Sequence, residues 1–335
     1  MKTVLVTGAT GHLGLNLVSE LLTRGFRVRA VVRDKEKAVM LGLDETTAEI
    51  VVADLTNFVS TSEVMHDIDI VFQAAANFSH WSKKPEVEII ATNNLISSNV
   101  LQAAKEMGVK KVIYVSSVGA LKRNASGIVR PDEWIENTYG NPYFESKLQS
   151  ERLAWKRANE FDLEMVSVLP AAMIGGSFAY ETPTSRFLGA IRNGEVPFDL
   201  DFEMNLIDVR DVCNAMVNAI EQGRSGQRYI LANSKGISVK DICLFYRHYN
   251  PKLKPPIKVG KTILLAVATI AELVGKLLGK EPSLLKSQVR FYYQSKENFD
   301  ISHSISDLEF SPKPPLTCLR DEHCIINLQG VLHEN

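Results

Sequence analysis

A chain of 335 residues with 45% hydrophobic content is long enough to bury one large core and a smaller lobe. Its 38 Lys and Arg stand against 39 Asp and Glu, and the net charge of -1 gives no electrostatic case for nucleic acid or an anionic membrane as partner. Cys213, Cys243, Cys318 and Cys324 form no C-x-x-C pair, so no disulfide framework is indicated and a reducing compartment is expected.

Lys2 leads directly into a strand, which leaves no room for a cleavable signal segment, and the expected location is cytoplasmic. Val4-Leu5-Val6 is the apolar run of a strand buried on both faces, and Leu13, Leu17, Val18, Leu21 and Leu22 follow at helical spacing. Between them lies a glycine corner. Gly8 suits a positive φ, Gly11 lets a phosphate approach the backbone, and Gly14 lets helix and strand close together. The N–H groups of the helix start then face an anion. Gly8, Thr10, Gly11, His12, Leu13 and Gly14 are therefore candidate dinucleotide contacts.

The spacing G-x-x-G-x-x-G departs from the G-x-G-x-x-G fingerprint. Read from Thr7 as T-G-x-x-G-x-x-G, it resembles the extended short-chain dehydrogenase/reductase family of the NAD-dependent epimerase/dehydratase superfamily. The closest resemblance is to dihydroflavonol 4-reductase-like and 3β-hydroxysteroid dehydrogenase-like members. It implies an α/β fold, a Rossmann-type doubly wound parallel sheet with a smaller C-terminal substrate lobe.

The second strand, Arg27 to Val32, ends where NAD enzymes carry a carboxylate for the adenosine ribose. Here Val32 holds that position by alignment, while Arg33 follows and Lys35 and Lys37 lie close, so a 2′-phosphate finds cations. NADP(H) is favoured over NAD(H), with Arg33 and Lys37 as contacts. The alternative is that Arg33 is a solvated loop residue and Asp34 reaches the ribose. After the third strand, Asp54-Leu55 resembles the family's pair beside the adenine, although Asp54 reads equally well as a helix N-cap. The fourth strand, Ile68 to Gln73, runs into Ala74, Ala75 and Ala76, small enough for the backbone to pass under the cofactor.

The loop Asn77 to Ser82 follows the carboxyl end of that strand, where ligands bind in open α/β sheets. Phe78 and Trp81 are candidate substrate contacts, and His80 is read as a wall or surface residue. Asn93 resembles a family asparagine that supports the active-site helix and strand. The fifth strand ends in Ser116-Ser117. Asn141-Pro142 then opens a helix in which Tyr143 and Lys147 share a face. A second Y-x-x-x-K, from Tyr292 to Lys296, follows no serine-ended strand, and Tyr292 is read as core or surface.

Pro170 and Met173 resemble the turn against the nicotinamide; Phe178, Tyr180 and Phe187 are expected at the substrate; Asp211 is read as structural. Gly260-Lys261-Thr262 fails as a phosphate loop, since Pro255 stands where the earlier glycine belongs, and Thr262 to Leu278 is read as an amphipathic helix rather than a membrane span. His323 beside Cys324 is too sparse for a metal site, and no metal is expected. The expected organisation is a dinucleotide-binding domain over 1–170 with 205–232 returning to it, a substrate lobe over 171–204 and 233–312, and a segment 313–335 without an assigned role.

The resemblance implies that Tyr143 is the proton donor, that Lys147 lowers the phenol pKa and holds the nicotinamide ribose, and that Ser117 hydrogen-bonds the substrate carbonyl. Ser116 is expected to face elsewhere while contributing to the cofactor site. The expected activity is reduction of a ketone or aldehyde by NADP(H), on a small-molecule carbonyl or alcohol substrate, with a homodimer open. A nucleotide-sugar epimerase or dehydratase with retained NAD is the alternative, and a non-catalytic dinucleotide-sensing protein the third.

Overall fold

The computed structural model describes residues 2–123, 127–176, 181–199 and 201–322. Among these, seven strands form one parallel sheet: β1 (Thr3–Thr7), β2 (Arg27–Val32), β3 (Glu49–Val52), β4 (Ile70–Gln73), β5 (Lys111–Val115), β6 (Glu164–Pro170) and β7 (Arg228–Leu231). Their spatial order is β7-β6-β5-β4-β1-β2-β3. The chain winds outward from β1 to β3 and then crosses to the other side of β1 to lay down β4, so the winding direction reverses between β1 and β4. Such a reversal leaves a crevice beyond the carboxyl ends of these two strands.

Alternation of side chains along β1 divides the core. Val4 and Val6 face α1 (His12–Thr23), packing with Leu13, Leu17 and Met216. Leu5 faces the opposite layer, with Val100 of α2 (Thr92–Glu106) and Ala154 of α3 (Pro142–Phe161). The helix α4 (Val209–Asn218) joins the first layer through Val212 and Met216. Both faces of the sheet are thus covered, which is why its strands read as continuous apolar runs.

Residues of the stretches 174–206, 237–253 and 318–319 build a separate apolar cluster that includes Ile174, Leu188, Phe202, Leu206, Ile242 and Tyr246. Leu206–Asp208 pairs with Ala172–Ile174 instead of entering the main sheet. Residues 315–322 are helical, and Cys318 and Leu319 are fully buried in this second cluster. Part of the C-terminal segment is therefore core, a role its composition did not indicate. Tyr180 and Phe178, together with His323 and Cys324, lie outside the described residues.

Candidate active site

The glycine corner sits at the carboxyl end of β1. Gly8 has φ +66°, and a Cβ there would lie 3.0 Å from Ala75 Cα, so the loop beyond β4 presses directly on it. A Cβ on Gly14 would lie 2.2 Å from the Gly8 carbonyl oxygen, which makes Gly14 the close contact between α1 and the turn. On Gly11 it would meet only the Gly8 oxygen, at 3.2 Å, and otherwise open space. Gly11 also N-caps α1 and, being glycine, supplies no side-chain cap. An open glycine surface at a helix N-terminus fits a pyrophosphate. Thr10 and Leu13 flank this surface, with Leu13 buried.

Gly14→Ala is expected to destabilise the chain by about 1–3 kcal/mol, because backbone on both sides must move. Gly11→Ala should leave folding nearly unchanged and remove most of the thermal stabilisation by NADPH. Equal nucleotide-induced shifts in both variants would separate the corner from phosphate binding.

The Thr7 hydroxyl holds the crevice together. It donates to Gln73 Oε1 at 2.8 Å and accepts from the N–H groups of Ala74 and Ala75 at 2.9 and 3.0 Å. Ala76 is exposed beyond them. His12 turns away from the corner: its Nε2 lies 2.7 Å from the Gly175 carbonyl oxygen, and burial lowers its pKa. Glu322 Oε2 accepts from the Gly175 N–H at 2.7 Å, so the C-terminal helix closes on the same turn. The His12 side chain thus links α1 to the turn after residues 172–174.

Arg33 is exposed at the end of β2, and its charge helps hold the Asp54 carboxyl low, after the hydrogen bonds from Thr56. Asp34 N-caps the helix Lys35–Met40, accepting from Lys37 N at 3.1 Å, which occupies the carboxylate considered for the ribose. Asp54 accepts from Thr56 N at 2.9 Å, while Asn57 caps the following helix instead. Leu55 is buried.

At the carboxyl end of β5, Tyr143 OH donates to Ser117 Oγ at 2.9 Å. Ser117 Oγ also accepts from Gly119 N at 3.0 Å. Asn141 caps α3 by accepting from the N–H groups of Tyr143 and Phe144, and Pro142 fills the first helical position. Tyr143, Lys147 and Glu151 then fall on one helical face. Asn93 accepts from Asn77 N at 2.7 Å and donates to Ser146 Oγ at 3.1 Å, tying the loop after β4 to α3.

The electrostatics differ from expectation. Burial pushes the Tyr143 phenol up to about 12, with only the Ser117 hydrogen bond acting downward. Lys147 Nζ donates to the Val115 carbonyl oxygen at 3.2 Å and does not lower the phenol. Burial lowers Lys147 itself to about 8, against the pull of Glu151.

Glu151 was not singled out by sequence motif, yet it is fully buried and central. It accepts from Ser116 Oγ at 2.6 Å, Ser167 Oγ at 2.7 Å, and the Arg228 Nε and Nη2 at 2.8 Å each. The Arg228 guanidinium also lies 3.7 Å from the Trp134 ring centroid. The Ser116 hydroxyl is therefore committed beneath the site, and its N–H donates to the Val168 carbonyl at 2.9 Å. Only the spacing of Glu151 from Tyr143 and Lys147 hinted at this.

The mouth is aromatic. Phe78 and His80 have ring centroids 4.6 and 4.7 Å from Tyr143. His80 Nδ1 lies 3.0 Å from Asn141 Oδ1, an oxygen already accepting two backbone N–H groups, so Nδ1 is the protonated nitrogen of the neutral ring. Burial lowers the His80 pKa. His80 is a wall residue in direct contact with Tyr143. Trp81 is half-buried, its N–H and carbonyl both bonded to Ser79 Oγ. Phe187 packs at 6.3 Å on Phe202, which reaches Tyr292 at 5.3 Å. Tyr292 in turn contacts Phe144 at 6.0 Å, so it lies behind the site as packing. Its helix, Lys286–Tyr292, ends at that residue, and Lys296 does not share a helical face with it. Pro170 pairs with Leu231 at the end of β6, and Met173 is half-buried against the main core. Asp211 accepts from Lys313 N at 2.8 Å, a structural tie.

Residues 4–232 match the profile of the NAD dependent epimerase/dehydratase family. A putative dihydroflavonol 4-reductase of Synechocystis sp. is 31% identical over 314 residues, covering 90% of this chain and 88% of that protein. The dihydroflavonol 4-reductase of Arabidopsis thaliana is 30% identical over 273 residues, 76% of this chain and 71% of that one. The crystal structure of gox2253 superposes with TM-score 0.82 at 27% identity, covering 98% of this chain and 99% of that chain. Yeast methylglyoxal/isovaleraldehyde reductase Gre2, complexed with NADPH, shares the fold at TM-score 0.75 and 19% identity, with 98% and 99% covered.

Proposed function

The chain belongs to the NAD-dependent epimerase/dehydratase family, and on that premise we propose that it is an NADP(H)-dependent carbonyl reductase, taking a ketone or aldehyde to an alcohol in the manner of the dihydroflavonol 4-reductases. The observation that carries this reading is the Tyr143 phenol at 2.9 Å from Ser117 Oγ, one helical turn from Lys147, against Phe78 of the loop that follows β4. A bound nicotinamide supplies the hydride. The chain's own part is to hold the carbonyl and to give a proton to the oxygen that becomes an alkoxide. Ser117 orients the carbonyl oxygen. Tyr143, held neutral by burial, is the donor, and Lys147, one turn further along the same helical face with its ammonium directed at the Val115 carbonyl, is assigned to holding the nicotinamide ribose. Phe78 and His80 frame an apolar, aromatic entrance, which favours a cyclic or aromatic substrate.

The test is NADPH oxidation against a panel of aryl and cyclic ketones and aldehydes. Tightly retained NAD in the purified protein, with no carbonyl-dependent NADPH oxidation, would overturn the reading in favour of epimerisation.

Cofactor choice rests on Arg33, since Val32 offers no carboxylate and Asp34 is occupied as a cap. Arg33→Ala is expected to weaken NADPH about 10- to 100-fold, the equivalent of one charge-assisted hydrogen bond, and to leave NADH nearly unchanged. Equal affinities of the unsubstituted chain for the two nucleotides, measured by fluorescence titration, would remove the basis for NADP(H) preference.

A further inference from the structure

The helix α5 (Lys261–Leu278) was expected to present a polar outer face, and it does not. Leu264, Ala268 and Gly275 are buried, against Val289 and its neighbours, and hold the helix to the lobe. Its opposite side exposes Ile263, Ile270, Leu273, Val274, Leu277 and Leu278, with Leu277 85% exposed. Ile257, just before the helix, is 66% exposed and extends the patch. Apolar surface on both sides of one helix is unusual in a protein whose outer face meets only water.

The charges along this segment are mostly basic. Lys252, Lys254, Lys258, Lys261, Lys276 and Lys280 are exposed along this segment, Lys261 lying over the Tyr293 ring at 5.7 Å, and its single acid, Glu272, is half-buried and paired with Lys286 at 3.0 Å. Glu281 follows just beyond it, and Lys258 pairs with Asp201. Lys83, from the loop at the candidate active-site mouth, approaches the C-terminal end of the helix: a Cβ on Gly279 would lie 3.1 Å from its Nζ. The chain-wide net charge of -1 therefore conceals a local excess of lysine along the segment that carries the apolar face.

We propose that this face docks on an anionic lipid surface, with α5 lying in the plane of the headgroups. No helix among the described residues is long and apolar enough to cross a membrane, so contact is made on one side only. The apolar residues enter the acyl boundary, and the lysines meet lipid phosphates. Pairing with a second copy of this chain is disfavoured by the same charges. An antiparallel pair sets Lys261 against Lys276 and Lys280, and a parallel pair sets each lysine against itself. The inference goes beyond the proposed activity and is tested without it.

The experiment is flotation of the full chain with phosphatidylcholine vesicles, with and without phosphatidylglycerol, across a salt series. The unsubstituted protein should float with the phosphatidylglycerol vesicles and be partly released by salt. The double variant Ile270→Asp, Leu277→Asp should bind about tenfold more weakly at every salt concentration while keeping its thermal unfolding midpoint. Lys261→Glu with Lys276→Glu should lose the preference for phosphatidylglycerol and the salt dependence. The proposal is overturned if the unsubstituted chain binds vesicles no better than the aspartate variant. It is equally overturned if that chain is a lipid-indifferent dimer which the aspartate substitutions convert to monomer.

Discussion

Tyr143→Phe is expected to lower carbonyl reduction by about 10²- to 10⁴-fold while leaving NADPH affinity nearly unchanged, the loss associated with removing one positioned general acid. The substitution deletes one oxygen from a buried ring and leaves its contacts with Phe78, His80 and Phe144 in place. Ser117→Ala should also slow turnover, and by more than Ser116→Ala, because the Ser116 hydroxyl serves Glu151. The pH profile follows from the same groups. With the phenol at about 12, the donor keeps its proton across the working range, so a fall in reduction rate above about pH 8 reports loss of the Lys147 charge. Tyr292→Phe is the control and should be nearly silent. Normal turnover of Tyr143→Phe, or equal damage from Tyr292→Phe, would refute the assignment.

The second large effect is expected at Arg228. Removing its guanidinium in Arg228→Met leaves the carboxylate of Glu151, which has no exposure, without its cation in the interior. Breaking a buried pair from one side costs about 3–5 kcal/mol, far more than the net contribution of the intact pair. Replacing both partners, Glu151→Leu with Arg228→Met, should recover part of the loss; the hydroxyls of Ser116 and Ser167 would still lack their acceptor. Urea unfolding of the three proteins is the measurement. A cost below about 1 kcal/mol for Arg228→Met would show that the network is less dry than its burial implies.

Legibility in the sequence followed the range of the interaction. The glycine corner, the parallel sheet and the Tyr143–Lys147 face are local patterns, with periods of strand or helix, and each is where its spacing put it. Thr7 opens the glycine motif, but the role of its hydroxyl was not legible, because its partners Gln73, Ala74 and Ala75 come from β4 and the loop after it. Glu151 was equally hidden: its partners are distributed over β6, β7 and the end of β5. The direction of the Tyr143 pKa was misjudged because spacing shows that a lysine is near but not how deeply the phenol is buried, nor that the ammonium is turned toward Val115. The outer face of α5 was read as polar because Glu272 and Lys276 interrupt the apolar run, yet Glu272 is turned inward to Lys286.

The turn at Gly175 joins segments far apart in sequence: His12, from the first helix, meets its carbonyl, and Glu322 meets its N–H. During synthesis the first strand and its glycine turn emerge early, but the cluster containing Ile174 cannot close until Cys318 and Leu319 are available. The packing behind the glycine corner is thus completed only after residues 318–322 have been made, and until then the nascent chain carries an open apolar seam for which a chaperone would compete. Shortening the chain before Cys318 should accordingly reduce the yield of soluble protein well before it alters any residue that touches the chemistry.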